Sequence, residues 1–207
     1  MSVSTLKSPR KPRGSGHLRR SEILDAAQRI FFESGYQGAT VRKIAQAVGV
    51  SSTAIYLHFP DKAAMLAEIA AEAIDGLLIE AKAVAAEQTC PLARARRILQ
   101  AYVCFGLTNR SAYMVIFSDA QSELPRGADS ARDRFQAYYL TFVGVITELH
   151  EKDQLRGRCP LVVAQTLWGG CHGLCTLQIT HPTFEWAPIE DLSRTMIDSL
   201  LAGAVEG

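Results

Sequence analysis

Residues 40–62, TVRKIAQAVGVSSTAIYLHFPDK, contain two short helical patterns that meet at a single glycine. Ala45 is small enough for two helix axes to cross closely, and Gly49 accepts the positive φ that a tight turn requires. Branched apolar residues stand where they would fill the angle between the two helices, at Ile44, Val48, Val50 and Ile55. Together these features predict a helix-turn-helix.

The outward side of the second helix in this pair decides what the pair is for. Arg42 and Lys43 begin the first helix, Lys62 follows the second, and no acidic residue lies between Glu33 and Asp61. A plain corner of two helices would share the apolar pattern, so the exposed side carries the prediction. A helix in a DNA major groove needs small or hydrogen-bonding side chains with cations nearby for phosphates. The outward residues fit that need: Ser52, Thr53, Ala54, Tyr56 and His58.

Charge is unevenly distributed along the 207 residues, although the formal net charge is only +1. Residues 1–62 hold ten Lys or Arg against four Asp or Glu, and the remainder holds twelve against seventeen. A basic first third indicates a polyanionic partner for that third alone. Residues 1–18 are rich in Ser, Pro, Gly and cations, so we expect a disordered basic arm that either follows the DNA backbone or only solubilises the chain.

The remaining composition favours an intracellular protein. Five cysteines without a paired spacing indicate reduced thiols and a cytoplasmic location, and no signal peptide follows Met1. Residues 159–184 lack charged side chains over a length that would span a bilayer. Scattered polar residues and the flanking Pro160 and Pro182 argue against a membrane helix, so we expect a helix buried against protein on most sides.

Helical periodicity continues along the whole chain and predicts an all-α protein. The first helix begins near Ser21, and caps are expected at Thr40, at Ser51 or Ser52, and at Asp61. The third helix should end at Pro60 and the fourth near residue 87. Later helices are predicted at about 91–107, 109–119, 125–153, 160–180 and 188–204. The chain thus divides into an arm (1–18), a helix-turn-helix domain (19–66) and a second helical domain (67–207).

Residues 23–69 resemble the DNA-binding domain of the TetR family of bacterial repressors. The shared motifs are Ala-Ala…Phe…Gly-Tyr, then Thr-Val-Arg-x-Ile-Ala…Gly-Val, then Ile-Tyr-x-His-Phe-x-x-Lys. The resemblance covers roughly a quarter of the chain. Ser52 and Thr53 stand where many members carry Lys or Gly, and Leu57 stands where an aromatic residue is frequent. These departures lie in the recognition helix, so they bear on which operator sequence is read and not on the class of protein.

The resemblance implies roles for individual residues. Thr40 would bind phosphate at a helix N-terminus, and Arg42, beside Lys43, would reach phosphate or a guanine edge. Ile55 and Phe59 are assigned to the core. For three residues a structural alternative stays open: Tyr56 as half core, His58 as a cap, and Ala54 as merely small. Base contacts are assigned to Ser52, Thr53, Ala54 and Tyr56, and phosphate contacts to His58 and Lys62.

The second domain contains most of the aromatic residues, which at helical spacing are usually core. A domain that senses a small molecule also needs an apolar cavity with few polar groups. Residues 165–177, QTLWGGCHGLCTL, form the best candidate wall, because Trp168 and His172 share a helix face and three glycines permit close approach of a helix or a ligand. The Trp…His-Gly pattern resembles one TetR subgroup. We predict a site for an apolar or aromatic effector lined by Tyr102, Phe105, Tyr113, Phe117, Tyr138, Trp168 and His172.

Metal binding, a cofactor and catalysis are not expected. Cys171 and Cys175 share a helix face from which His172 is turned by about 100°, and no second ligand cluster exists in the sequence. In the TetR family the last two helices of each subunit form the dimer interface. We therefore expect a ligand-responsive repressor that binds a palindromic operator as a homodimer, with recognition helices about 34–36 Å apart. The alternatives are a DNA-binding activator or organiser without a ligand, and a helical enzyme.

Overall fold

The computed structural model describes residues 16–117 and 130–205, and within those ranges every regular element is an α-helix. The all-α prediction is therefore confirmed. Most of the predicted arm lies outside the described residues, but residues 16–18 already belong to the first helix. The helices are α1 (Gly16–Gly38), α2 (Val41–Val48), α3 (Ser52–Tyr56), α4 (Lys62–Ala85), α5 (Pro91–Thr108), α6 (Arg110–Ile116), α7 (Ala131–Glu151), α8 (Pro160–Thr180) and α9 (Ile189–Ala204).

The predicted caps hold the short helices at their predicted starts. Side-chain oxygens of Thr40, Ser51 and Asp61 accept hydrogen bonds from the third backbone N–H of α2, α3 and α4, respectively. Gly49 ends α2 with φ 73°, in the left-handed region that favours glycine. Three predicted boundaries are wrong. Helix α1 begins at Gly16 and not near Ser21. Helix α3 ends at Tyr56 and does not reach Pro60, and α7 begins only after its cap Ser130 instead of at residue 125.

The helices form two packed regions that share α4. The head consists of α1, α2, α3 and residues 62–69 of α4, and its core includes Phe31, Ile44, Ile55 and Phe59. The body consists of the rest of α4 with α5 to α9, and its core runs through α4, α5, α7, α8 and α9. Helix α6 joins the two regions, because Ala112 is buried in the core of the head whereas Tyr113 is buried in that of the body.

Helix α8 is only partly surrounded by protein. Its inward face is buried through Val163, Leu167 and Cys171, but Leu161, Val162 and Leu177 are each about half exposed. The expectation that this helix is buried on most sides is therefore wrong for the single chain. No helix in residues 16–117 and 130–205 combines the length and apolarity that crossing a membrane requires.

Candidate nucleic-acid interface and candidate ligand site

Helix α3 turns one face into the core and the other outward. Ile55 and Phe59 are buried, as predicted, whereas Thr53, Tyr56 and Leu57 are exposed. The Tyr56 side chain is 55% exposed, so it lies outside the core. The other predicted contact residues on this helix and just after it are half-buried and still reach the surface: Ser52, Ala54 and His58.

The structure brings the predicted cations and the helix cap to the same side of the head. Arg42 and Lys43 are exposed in the first turn of α2. Thr40 Oγ1 already accepts a hydrogen bond from the Lys43 backbone N–H at 3.2 Å, which leaves its hydroxyl proton to donate. Lys43 Nζ donates to the Gly38 carbonyl at 2.8 Å, so this ammonium is tied to the end of α1.

Lys62 is held more firmly than the sequence suggested. Its Nζ donates to the Tyr36 carbonyl at 2.8 Å and to the Ala39 carbonyl at 3.3 Å, and it lies 4.1 Å from the centre of the Tyr36 ring. These contacts join the start of α4 to the end of α1. An ammonium group has three N–H donors, so one of them stays available to a phosphate.

Leu57 was not among the predicted contacts, although its side chain is 81% exposed and directly follows α3. Exposed leucine between Tyr56 and His58 adds an apolar tip to an otherwise polar face. An apolar side chain in a major groove is suited to contact the thymine methyl group. The sequence feature that could have drawn attention to Leu57 is that it stands where an aromatic residue is frequent in the TetR family.

All seven predicted ligand-site residues meet in one aromatic cluster, which also includes Phe135 and Tyr139. Phe117 is its centre, with its ring 4.7 Å from those of both Tyr113 and His172 and 5.5 Å from that of Phe135. A Cβ at Gly106 would lie 2.9 Å from both Tyr113 Cε2 and Cys175 Sγ, so glycine there permits the close packing. The remaining rings join through further pairs: Tyr102 with Tyr138, Phe105 with Tyr113, and Trp168 with Phe135, Tyr139 and His172.

Three polar atoms inside this cluster form a closed triangle. His172 Nδ1 lies 2.6 Å from Tyr113 Oη and 3.2 Å from Tyr102 Oη, and the two phenol oxygens are 3.0 Å apart. Burial lowers the pKa of His172 and raises the pKa of both phenols. In the neutral ring one nitrogen donates and the other accepts; Nδ1 faces the two phenols and Nε2 lies 3.5 Å from Thr176 Oγ1.

The cysteines separate into two groups. Cys171 and Cys175 are buried, and burial raises their pKa values to about 12 and about 11, so both remain thiols. The other three are exposed: Cys90, Cys104 and Cys159. Within the described ranges no group of three His, Cys, Asp or Glu side chains is arranged to hold a metal ion.

Two clefts run along α4 beside the aromatic cluster. One, of about 430 Å³, lies at the junction of head and body between α1, α4 and α6. The other, of about 400 Å³, lies between α4 and α5 and reaches the cluster only through Phe105. Neither cleft is lined by the residues of the Tyr102–Tyr113–His172 triangle.

Known proteins match both regions of the chain. Residues 23–69 match the family described as bacterial regulatory proteins, tetR family. Residues 95–200, half of the chain, match the family described as tetracyclin repressor-like, C-terminal domain. Each match agrees with the resemblance seen in the sequence.

Individual relatives match over different extents. The HTH-type transcriptional repressor AcnR of Corynebacterium diphtheriae is 47% identical over 66 residues, which are 27% of this chain and 35% of AcnR. The chain thus spans about a third of that relative. The nucleoid occlusion factor SlmA of Idiomarina loihiensis is 31% identical over 67% of this chain and 71% of SlmA. The ketosteroid transcriptional regulator KstR2 of Mycobacterium tuberculosis shares the fold, with a TM-score of 0.76 at 21% identity over 91% of this chain and 96% of KstR2.

Proposed function

From the premise that this chain belongs to the tetR family of bacterial regulatory proteins, we propose that it is a ligand-responsive transcriptional repressor. In this proposal, a homodimer binds a palindromic operator in the cytoplasm and releases it when a small molecule binds the body. Membership in a family of regulators decides against the alternative of a helical enzyme.

The observation that carries the proposal is the exposed face of α3. It presents Thr53, Tyr56 and Leu57 outward beside the cations of α2. No carboxylate occurs in residues 34–60 to repel phosphate. Polar and apolar groups of this size read base edges in a major groove, while Arg42 and Thr40 suit the backbone.

The dimer would form through α8 and α9. These helices pack so closely that a Cβ at Gly170 would lie 2.6 Å from Leu200 Cδ1, and α8 still leaves Leu161, Val162 and Leu177 about half exposed. A second copy would bury this apolar face in a symmetric interface. Two recognition helices would then lie about 34–36 Å apart, on successive major grooves.

Coupling between ligand and DNA would pass through α6 as well as α4. Phe117 and Tyr113 lie in the aromatic cluster, and Ala112 on the same helix is buried against the head. Tyr113 is fully buried in the cluster, and a ligand that displaced the half-buried Phe117 ring beside it would shift α6 against the head. The ligand releases the operator only to the extent that it binds the shifted state more tightly.

Selection of bound fragments from random double-stranded DNA tests this function. We expect enrichment of a palindrome whose half-sites are centred about 10 base pairs apart. Affinity for the enriched duplex should fall steeply with salt, because each neutralised phosphate releases counterions. Failure to enrich any sequence would contradict a repressor and leave only non-specific binding.

A second candidate is a DNA organiser without a small-molecule ligand. It is favoured by the match to SlmA, which is named a nucleoid occlusion factor and which covers 67% of this chain. This candidate predicts operator binding that no compound relieves, and an aromatic cluster that serves only as core. A compound that both raises the melting temperature and releases the operator decides against it.

A further inference from the structure

Two buried hydrogen-bond donors in the aromatic cluster make no hydrogen bond. Trp168 Nε1 and Tyr139 Oη are both buried from solvent, and neither has a hydrogen-bond partner in the part of the chain that the structure describes. Buried polar groups are nearly always bonded, because an unmade bond loses the hydration that the group has in water. An indole N–H can only donate, so the missing partner of Trp168 is an acceptor.

The two rings that carry these donors lie side by side at the interface of α7 and α8. The Tyr139 and Trp168 rings are 5.9 Å apart, and Trp168 also contacts Phe135 at 5.7 Å and His172 at 5.9 Å. Burial raises the pKa of Tyr102, and the nearby hydroxyl of Tyr113 and indole N–H of Trp168 oppose that rise. Trp168 Nε1 nevertheless makes no hydrogen bond of acceptable geometry to Tyr102.

The triangle itself does not supply the acceptor that these donors lack. The two phenol oxygens and His172 Nδ1 lie within 3.2 Å of one another, and none of these three atoms is a hydrogen-bond partner of Trp168 Nε1 or Tyr139 Oη. The cluster thus contains one polar group that is internally satisfied and, beside it, two donors that are not. Such an arrangement fits a ligand that brings an oxygen to Trp168 and Tyr139.

Charge around the cluster disfavours a negatively charged ligand group. None of the nine cluster residues carries a positive charge at neutral pH, since burial keeps His172 neutral. The basic residue on the adjoining turn of α7, Arg134, is already paired with Asp75 of α4, and Glu80 lies close enough to Tyr138 to oppose ionisation of that phenol. A carboxylate placed here would be buried without a cation, which is strongly unfavourable.

We propose that the effector is an uncharged molecule with an apolar frame and one acceptor oxygen, such as a ketone, ester or ether, held by Trp168 Nε1 and Tyr139 Oη. This inference rests on the proposed function, because it assumes that the body binds an effector at the aromatic cluster. It adds the chemical class of that effector and the two groups that select it.

Matched probes on three frames test the class. On naphthalene, biphenyl and a linear twelve-carbon chain, a methyl ketone is compared with the hydrocarbon of the same shape and with the carboxylate. Binding is measured by thermal shift and calorimetry, and operator release by fluorescence anisotropy. We expect the ketone of the best frame to bind about fivefold more tightly than its hydrocarbon, as one neutral hydrogen bond allows, and the carboxylate to bind least.

Three variants assign the preference to its donors. Tyr139→Phe removes an O–H with little change of shape, and Trp168→Phe removes the N–H together with one ring of the indole. Each should reduce the preference for the ketone over the hydrocarbon, a ratio in which the change of shape largely cancels. Trp186→Phe is the matched control, since the Trp186 Nε1 donates to the His181 carbonyl on the α8–α9 loop at 3.1 Å. It should leave the preference unchanged.

The outcomes separate the two proposals. A hydrocarbon that equals the ketone, or a preference that survives both Phe variants, overturns the inference about the donors. A carboxylate that binds best and releases the operator also overturns it, yet leaves the ligand-responsive repressor intact. If no probe on any frame binds, the effector site at the aromatic cluster is contradicted and the inference falls with it, whereas the DNA selection still stands as the test of the head.

Discussion

The head of this molecule exposes polar side chains to solvent, whereas the body buries several of them. On α3 and in the residues just after it the core side is apolar, with Ile55 and Phe59 buried, whereas the polar Thr53 and Tyr56 face solvent. In the body, two phenols and an imidazole are hydrogen-bonded to one another beneath the surface. The difference matches the partners that we propose: a hydrated polyanion would be met at an exposed surface, whereas a small apolar molecule would bind where water is excluded.

The largest effect is expected from the core that supports the exposed face. Phe59→Ala removes a side chain that is 1% exposed in the head, so we expect a loss of about 3–5 kcal/mol in the free energy of unfolding. The matched control is Leu57→Ala two residues earlier, which is 81% exposed and should stay within about 0.5 kcal/mol of the original. Urea denaturation followed by circular dichroism measures both. Equal losses would mean that the two faces of α3 are wrongly assigned.

A smaller effect is expected at the cations of the head. Arg42→Ala should weaken operator binding by about 1–3 kcal/mol if the guanidinium reaches a base edge. If it reaches a phosphate, the slope of log affinity against log salt concentration should become shallower by about 1. Titration of the operator at several salt concentrations separates the two roles. Arg97→Ala is the control, because Arg97 is exposed on α5 of the body and paired with Glu87. A similar loss in both variants would show a general charge effect.

In the body, one tyrosine hydroxyl has a hydrogen-bond partner and another has none, so the two Phe variants can be compared. Tyr113→Phe breaks the 2.6 Å contact with His172 Nδ1 and should cost about 1 kcal/mol of stability. Tyr139→Phe removes a hydroxyl without a partner, so we expect stability to be unchanged or slightly higher. Thermal denaturation of both variants without ligand checks this. A greater loss for Tyr139→Phe would contradict the account of the buried donors.

The least pronounced effect is a pH dependence that belongs to the body. Burial lowers the pKa of His172 below its ordinary value of 6.5. At a pH between the lowered pKa of the folded state and 6.5, the unfolded chain binds a proton that the folded chain does not. The stability should therefore fall as the pH drops below 6.5 and level off below the folded-state pKa. His172→Gln should flatten this part of the profile. An unchanged slope in that variant would place the proton uptake elsewhere.

Local signals made the head predictable, whereas the body depended on contacts distant in sequence. Thr40, Gly49 and Asp61 act within a few residues of themselves, so the sequence located the helix boundaries they define. The hydrogen bond from Lys62 Nζ to the Tyr36 carbonyl joins positions 26 residues apart, so no local signal in the sequence predicted it.

In the body, helical spacing correctly grouped the aromatic residues, but their polar contacts were not predictable from it. The Tyr102–Tyr113–His172 triangle requires the relative placement of α5, α6 and α8, and His172 lies 59 residues from Tyr113. The end of α3 at Tyr56 was also missed, because no glycine or proline marks it before Pro60. Its early end leaves Leu57 exposed beyond the helix.

The most direct test of the central claim, that the exposed face of α3 reads DNA, is the specificity ratio of the Thr53→Ala/Tyr56→Ala double variant. Affinity is measured for the selected duplex and for a scrambled duplex of the same composition, at one salt concentration. Both replaced side chains are exposed, so the fold should persist. We expect the ratio to fall toward one with little change for the scrambled duplex. An unchanged ratio would contradict the account.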